Sequence, residues 1–398
     1  MRETNYDESK VGNYTLPPLL KMNDGSSVTT AFDWIHKRRP QILQTLKKEL
    51  FGELPPLPET ITKEVISWKE DALNHTAIRK EIRLTFTNQG KSHSFVMLLY
   101  IPKNAPAPVP VFLGLNFRGN HTTTAEEDIT ISGTLPDGTV YDKVANPGQE
   151  RRWLFEECIK HGYASATAFY NEIAPDDKAT DSWRKGIYNI FFSEETDETF
   201  HTHAGSISAW AWGLSRMLDA LNGEALIDTS KAMVHGHSRL GKTALWAGAN
   251  DPRFRLVISN DSGCCGAAIQ RRNFGECIEV VNHYFPQWIV SSLTNYNNKE
   301  EELPFDQHWL VALSAPRLVC IASATEDLWA DPKGEFLSGY HASEVYRLFG
   351  VQGMPVSEMP APDTPVTGEV SYHLRSGAHD QLLFDWQHYW DIADKYIK

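Results

Sequence analysis

The segment VHGHSRLGKT (residues 234–243) can be interpreted in two incompatible ways. Gly236, four further residues and then Gly241-Lys242-Thr243 match G-x-x-x-x-G-K-[ST], the pattern of a phosphate-binding loop. The same stretch places Ser238 between an apolar segment typical of a strand and a segment typical of a helix. A serine on such a turn is positioned to act as the nucleophile of a hydrolase.

Apolar segments rich in β-branched and aromatic residues recur on both sides of this stretch and predict strands. They span residues 81–87, 94–102, 109–117, 164–170, 231–238, 254–262, 317–326 and 370–379. Helical patterns are predicted at residues 31–52, 153–162, 207–223, 241–251 and 381–397. Strands that alternate with helices indicate an α/β fold, with a mostly parallel central sheet and helices on both faces. Residues 1–30 are polar and predict an extended N-terminal arm, followed by one catalytic domain over 31–398.

Composition excludes several classes of function for these 398 residues. The net charge of -13 argues against nucleic acid as a partner, because phosphate binding needs a basic face. A run of about 18 apolar residues is absent, so no membrane-spanning segment is expected. The five cysteines form no C-x-x-C pair, which makes a zinc site an unfavoured interpretation. Buried free thiols are expected, with one disulfide as the alternative.

Four residues favour the hydrolase interpretation. Ser238, Asp261, Asp327 and His379 each follow a predicted strand, and open parallel sheets bind ligands at the carboxyl ends of their strands. The chain order serine, acid, histidine is that of a hydrolase triad, in which the histidine takes the serine proton and the acid orients the histidine. The phosphate-loop interpretation could use Asp261 for Mg²⁺ but gives Asp327 and His379 no role. One departure is Leu240, which stands where the usual G-x-S-x-G motif has its second glycine.

The segment GHSRLGK (236–242) resembles the nucleophile motif of the glucuronoyl esterases, carbohydrate esterase family 15. Other segments resemble the bacterial branch of that family, and the resemblance covers roughly residues 30–398. These segments are NFRGNHT (116–122), RRNFGE (271–276), ATEDLWADPKGEF (324–336) and SGAHDQ (376–381). The resemblance implies an α/β-hydrolase fold and a serine esterase without a metal or organic cofactor. The implied substrate is the ester between 4-O-methyl-glucuronic acid of xylan and lignin-type alcohols.

The resemblance also implies roles for individual residues. Ser238 would be the nucleophile, His379 the general base, and Arg239 a donor to the oxyanion. Lys242, Glu276 and Trp329 would contact the glucuronate.

The triad acid has two candidates. Some members of the family place it 23 positions after the serine, which is Asp261, where fungal members have glutamate. Other bacterial members place it after the next strand, which is Asp327. We expect Asp327 to be the principal acid, with Asp261 assisting or substituting. Fungal members also have a disulfide-bonded cysteine before the serine, whereas this chain has His237.

Each candidate also has a purely structural interpretation. Ser238 could be a helix N-cap, Asp261 and Glu276 structural carboxylates, and Arg239 the partner of an acid. Core packing is expected for the tryptophans of AWAWG (209–213), and structural roles are expected for the histidines His235, His237, His308 and His373. As alternative functions we retain an acetyl xylan esterase, a nucleotide-binding protein and an inactive carbohydrate-binding relative. A monomer that is secreted or periplasmic is expected, although no signal peptide is apparent in the chain.

Overall fold

A nine-stranded sheet forms the centre of the protein in a computed structural model that describes residues 2–132, 140 and 149–398. The strands are β1 (Thr60–Asp71), β2 (Ala77–Asn88), β3 (Lys91–Pro102), β4 (Val109–Asn116), β5 (Ala164–Phe169), β6 (Ile227–His237), β7 (Leu256–Asn260), β8 (Leu318–Ala324) and β9 (Val370–Arg375). Their order across the sheet is β1-β2-β3-β5-β4-β6-β7-β8-β9. The strands from β5 across to β9 pair in parallel, whereas β1, β2, β3 and β5 pair antiparallel. The predicted, mostly parallel sheet is therefore confirmed.

The α-helices lie mainly between the parallel strands. They are α1 (Ala31–Asp33), α2 (Arg39–Leu46), α3 (Ala72–His75), α4 (Glu150–Trp153), α5 (Phe155–Lys160), α6 (Tyr170–Ile173), α7 (Asn189–Phe192), α8 (Asp197–His201), α9 (Ser206–Ala220), α10 (Arg239–Asn250), α11 (Ile278–Tyr284), α12 (Gln307–Ala312), α13 (Pro332–Leu348) and α14 (Leu383–Tyr396). The helix predicted over 31–52 consists of α1 and α2 with two π-helical turns, and it ends at Gly52, whose φ is 78°.

Both faces of the sheet are covered, because successive side chains of a strand point to opposite faces. Val111, Val234 and Val257 belong to a core that includes residues of α9, α10, α12 and α13. Phe112 and Ile258, their neighbours in the chain, belong to a separate core that includes Trp386 and Trp390 of α14. The predicted three-layer α/β-hydrolase architecture is therefore confirmed.

Strand β1, helix α13 and several short helices were not predicted from the sequence. Strand β1 lies at the edge of the sheet and is largely exposed, so it lacks the apolar pattern of the buried strands. Helix α13 begins with Pro332, and Asp331 caps it by accepting the Gly334 N–H at 3.0 Å. Proline at the first position and a capping aspartate favour the start of a helix.

Other expectations concern the N-terminal residues, the cysteines and the membrane. Residues 2–30 contain one short 3₁₀ turn and a bridge between Lys21 and Ser27, and they bury Leu19 and Val28 in the core. The division into arm and domain stays a prediction. All five cysteines are buried and free, as expected. Within the described ranges, no helix combines the length and apolarity needed to cross a membrane.

Candidate active site

Ser238 alone forms the turn between β6 and α10. Strand β6 ends at His237 and α10 begins at Arg239, and the Ser238 backbone has φ 59° and ψ -130°. This left-handed conformation is rare for residues other than glycine, and strain of this kind clusters at functional sites. The Ser238 N–H donates to the Asn260 carbonyl at 2.8 Å, which holds the turn against β7. The hydroxyl is thus carried at the carboxyl end of a central strand.

Close packing around the turn explains its two glycines. A Cβ on Gly236 would lie 1.9 Å from the Leu240 carbonyl oxygen, so no larger residue fits there. A Cβ on Gly241 would lie 3.0 Å from the Asn260 carbonyl oxygen and from Ser262 Cβ. Leu240, where the usual motif has glycine, is buried in the core. A leucine fits at this position because the backbone of β7 approaches the helix at Gly241, one residue later.

The same geometry shows that the phosphate-loop interpretation is wrong. A phosphate-binding loop has several residues between its strand and its helix, and their backbone N–H groups point at the phosphates. Here a single residue separates β6 from α10. The Lys242 ammonium donates to the Ser262 carbonyl at 2.5 Å, and the Thr243 hydroxyl donates to the Arg239 carbonyl at 3.0 Å.

His379 and Asp327 are brought together by the ends of β9 and β8. The His379 Nδ1 atom lies 2.6 Å from Asp327 Oδ2, and the Asp327 side chain is 5% exposed. A carboxylate on Nδ1 leaves Nε2 as the ring nitrogen that can accept a proton. His379 and Ser238 line the same two cavities, although no hydrogen bond joins them in the described structure. Catalytic hydrogen bonds are often long until substrate is bound.

Asp261 lies beside this pair but has different surroundings. Its carboxylate is buried and has no hydrogen-bond partner within the described part of the chain; the His237 imidazole and the Arg375 guanidinium lie 4.0 Å away. Burial, reinforced by neighbouring carboxylates, raises the pKa of Asp261 well above its ordinary value, which favours the neutral acid. Atoms of Asp261, Asp327 and His379 all lie within 4.8 Å of one another. The geometry therefore favours Asp327 as the partner of the imidazole, and Asp261 stays a candidate for an assisting or substituting acid.

Arg239 is held by a buried carboxylate that sequence reasoning missed. Asp176 accepts hydrogen bonds from the Arg239 guanidinium, from the Tyr170 hydroxyl at 2.9 Å, from Gln287 at 2.7 Å and from the Trp288 indole at 2.6 Å. The guanidinium carbon lies 4.7 Å from the centre of the Trp288 ring, within cation–π range. Arg239 is also the first residue of α10, so its backbone N–H has no partner inside the helix.

Lys242, Glu276 and Trp329 line one cavity together with Ser238 and His379. The cavity has a volume of about 400 Å³, within the range of small-ligand sites. The Lys242 ammonium is 4% exposed and lies 3.4 Å from Glu276 Oε2, so each charge compensates the other. Trp329 is 39% exposed and presents an aromatic surface. Thus the predicted sugar-binding residues and the predicted triad meet in one site.

A second cavity of about 330 Å³ also reaches Ser238, Arg239 and His379. Its remaining wall combines basic, amide and aromatic side chains: Phe117, Arg118, Gln149, Arg152, Tyr170 and His237. The serine therefore lies where two cavities meet, and an ester bound across it has room for both its acyl and its alcohol half.

Two groups of side chains in the described ranges have metal-ligand atoms within 4.8 Å of one another. One is Asp261, Asp327 and His379. The other is Cys320, His373 and His388, where the His373 Nε2 atom already bonds Asp385 at 2.7 Å. The expectation that the protein uses no metal or cofactor stays a prediction.

The histidines expected to be structural are buried: His235, His237, His308 and His373. The His237 Nδ1 atom contacts Asn260 Oδ1 at 2.5 Å, and burial lowers the pKa of His237 well below its ordinary value. Trp210 and Trp212 of the AWAWG segment also belong to the core.

Comparison with known proteins places the chain among carbohydrate esterases. Residues 154–350 match the family described as "Glucuronyl esterase, fungi". Over 100% of its length the chain is 41% identical to carbohydrate esterase MZ0003 from an unknown prokaryotic organism, of which it covers 93%. It is 29% identical to 4-O-methyl-glucuronoyl methylesterase 1 of Phanerochaete chrysosporium, with 85% of this chain and 63% of that protein covered.

Solved structures give the same result. A promiscuous esterase of carbohydrate esterase family 15 from a marine bacterial metagenome superimposes with a TM-score of 0.90 at 41% identity, covering 98% of this chain and 99% of that one. The glucuronoyl esterase from Solibacter usitatus superimposes with a TM-score of 0.92 at 40% identity, covering 97% and 99%.

Proposed function

The chain belongs to carbohydrate esterase family 15, the glucuronoyl esterases, and on that premise we propose that it hydrolyses esters of glucuronic acid through a serine-bound acyl-enzyme. The proposed natural substrate is the ester between (4-O-methyl-)glucuronic acid of xylan and a lignin-type alcohol. The observation that carries the proposal is the shared cavity in which Ser238, His379 and Asp327 meet Lys242, Glu276 and Trp329.

The reaction uses the residues at the turn. The Ser238 hydroxyl attacks the ester carbonyl while His379 Nε2 takes its proton and later returns it to the leaving alcohol. Asp327, on the other ring nitrogen at 2.6 Å, stabilises the imidazolium. Negative charge develops on the carbonyl oxygen, where the Arg239 backbone N–H and guanidinium donate. Water then hydrolyses the acyl-enzyme, again with His379 as the base.

The sugar half is recognised by charge and by an aromatic surface. Lys242 donates to ring hydroxyls of the sugar, and Glu276 accepts hydrogen bonds from them. Their mutual contact at 3.4 Å leaves both groups able to do so, because an ammonium has three N–H donors and a carboxylate has several acceptor sites. Trp329 packs against the pyranose. An acetyl ester would leave this side of the site empty, which distinguishes the proposed activity from that of an acetyl xylan esterase.

The test compares two substrates and two lysine variants. The wild type is expected to cleave benzyl glucuronate with a higher kcat/KM than it shows on acetylated xylan. Lys242→Met is expected to raise KM for benzyl glucuronate by about 10- to 100-fold, since hydrogen bonds to charged groups contribute roughly 1.5–3 kcal/mol. Lys160→Met, on an exposed lysine of α5, is the matched control. Faster turnover of acetylated xylan, with no effect of Lys242→Met on either substrate, would assign the chain to the acetyl esterase class instead.

Partner and location follow from the proposed substrate. Glucuronoxylan is a cell-wall polymer, so the enzyme is expected to act outside the cytoplasm, secreted or periplasmic. It is expected to work as a monomer without nucleic acid or membrane partners. Cell fractionation tests the expected location, and light scattering of the purified protein tests the expected monomer.

A further inference from the structure

Residues 2–10 contact the loop that carries Glu276 and the first turn of α13, which directly follows the loop that carries Trp329. We refer to residues 2–10 as the N-terminal strap. The Asn5 carbonyl accepts the Gly275 N–H at 2.9 Å, and the Tyr6 ring packs edge-on against Phe274 at 6.3 Å. This part of the segment predicted as an extended arm therefore lies against the sugar side of the candidate site.

Buried charges fasten the strap at both ends. Near its start, the Arg2 guanidinium contacts Glu300, which is 1% exposed, at 2.6 Å. Near its end, Glu8 pairs with Arg272 at 2.6 Å, and Arg272 also pairs with Asp331 at 2.8 Å. Arg272 and Asp331 are each 2% exposed. Both pairs join a partly exposed residue of the strap to a side chain buried in the domain, so the strap is expected to stay docked.

The two loops are locked to each other where they meet the strap. The Glu276 N–H donates to the Trp329 carbonyl at 2.8 Å. Gly275 has φ 64°, and a Cβ on it would lie 2.4 Å from the Trp329 carbonyl oxygen, so a displacement of one loop displaces the other.

Glu8 connects the strap to both loops. Its carboxylate bridges Arg272, next to the loop of Glu276, and Lys333, on the first turn of α13 at 2.5 Å. Asp331, the partner of Arg272, lies two residues after Trp329 and caps α13. One exposed carboxylate therefore joins the segments on either side of the sugar cavity.

We propose that the N-terminal strap, acting through Glu8, is a positioning element that fixes Glu276 and Trp329 against the glucuronate. The inference rests on the proposed function, because it assigns the sugar half of the substrate to this cavity. Glu8 lies outside the reaction itself, so its loss is expected to weaken binding of the sugar while leaving the serine chemistry in place.

The experiment compares Glu8→Gln with Glu3→Gln, since Glu3 is an exposed glutamate of the same segment. Glu8→Gln is expected to raise KM for benzyl glucuronate by about fivefold or more. A fivefold change corresponds to about 1 kcal/mol of binding free energy. The rate of Ser238 labelling by a small fluorophosphonate, which lacks the sugar, is expected to match that of Glu3→Gln. A deletion of residues 1–10 is expected to enlarge the same KM effect.

Three results overturn the inference. Equal KM values for Glu8→Gln and Glu3→Gln would show that the strap does not position the sugar site. A parallel fall in benzyl glucuronate turnover and fluorophosphonate labelling would show a general structural role. Absence of benzyl glucuronate turnover by the wild type would overturn the proposed function itself, and this inference with it.

Discussion

Replacing Asp327 by asparagine is expected to cost far more activity than the same change at Asp261. The Asp327 carboxylate is the group bonded to His379, at 2.6 Å. Asparagine keeps the shape of the side chain but removes the charge that stabilises the imidazolium and can donate to Nδ1, which leaves the wrong tautomer for catalysis.

The size of the loss in activity follows from the distances of the two carboxylates from the His379 ring. At 2.6 Å and an effective dielectric constant of about 20, a carboxylate stabilises the imidazolium by roughly 6 kcal/mol, or about 10⁴ in rate. At 4.8 Å, the outer limit for Asp261, an ionised carboxylate would supply about 3.5 kcal/mol. Asp261 must first lose its proton, and burial opposes that loss. We therefore expect kcat to fall by about 10³-fold or more in Asp327→Asn.

Burial raises the pKa of Asp261 and so favours its neutral form, which an asparagine amide resembles, and Asp261→Asn is therefore expected to lower kcat by less than about tenfold. The double variant shows whether Asp261 takes over the role of Asp327 as the partner of His379. If it does, adding Asp261→Asn to Asp327→Asn removes the residual activity, whereas the same change is mild in the wild-type background.

The assay is single-turnover hydrolysis of benzyl glucuronate by the wild type, the two single variants and the double variant. Circular dichroism serves as the control for folding. A larger loss in Asp261→Asn than in Asp327→Asn would refute the assignment of Asp327 as the principal acid.

Three other changes test separate parts of the site. Asp176→Asn is expected to lower kcat for benzyl glucuronate about 10- to 100-fold through a misplaced Arg239, with a smaller change in KM; a KM effect alone would contradict this role. Gly236→Ala is expected to leave little folded protein in soluble expression, because its methyl group would overlap the Leu240 carbonyl; a stable, active variant would contradict the strained turn. Because burial raises the pKa of Asp261, the folded protein holds that proton more tightly than the unfolded chain. This tighter binding of the Asp261 proton increases the free energy of unfolding fully below about pH 4, and the increase is lost as the pH rises through the pKa of Asp261 in the folded protein. Relative to wild type, Asp261→Asn should therefore become more stable from pH 5 to pH 8 in urea denaturation, and an unchanged difference would refute this.

The buried part of the fold could be predicted from the sequence because strands covered on both faces are continuously apolar. VPVFLGLN (109–116) is buried at every position, and its short length and β-branched residues favour a strand over a helix. Strand β1 is half polar and lies at the edge, so its pairing with β2 depends on a neighbour and not on its own pattern. The start of α13 at Asp331-Pro332 has the composition of a turn, and only the cap geometry shows that it begins a helix.

The residues at strand ends could likewise be predicted, because topology brings the carboxyl ends of parallel strands to one edge of the sheet. Asp176 was missed, although it lies only a few residues beyond the end of β5, because its partners Gln287 and Trp288 are more than 100 residues away. The contact between Glu8 and Arg272 spans 264 residues and carries no motif. Contacts of this kind depend on loop conformation, which hydrophobic periodicity does not encode.

The most direct test of the account is to quench the enzyme during turnover of benzyl glucuronate and to map the acyl adduct by mass spectrometry. The account predicts a glucuronoyl ester on Ser238 in the wild type, and neither adduct nor turnover in Ser238→Ala. Turnover that survives in Ser238→Ala, or an adduct on a different residue, would contradict it.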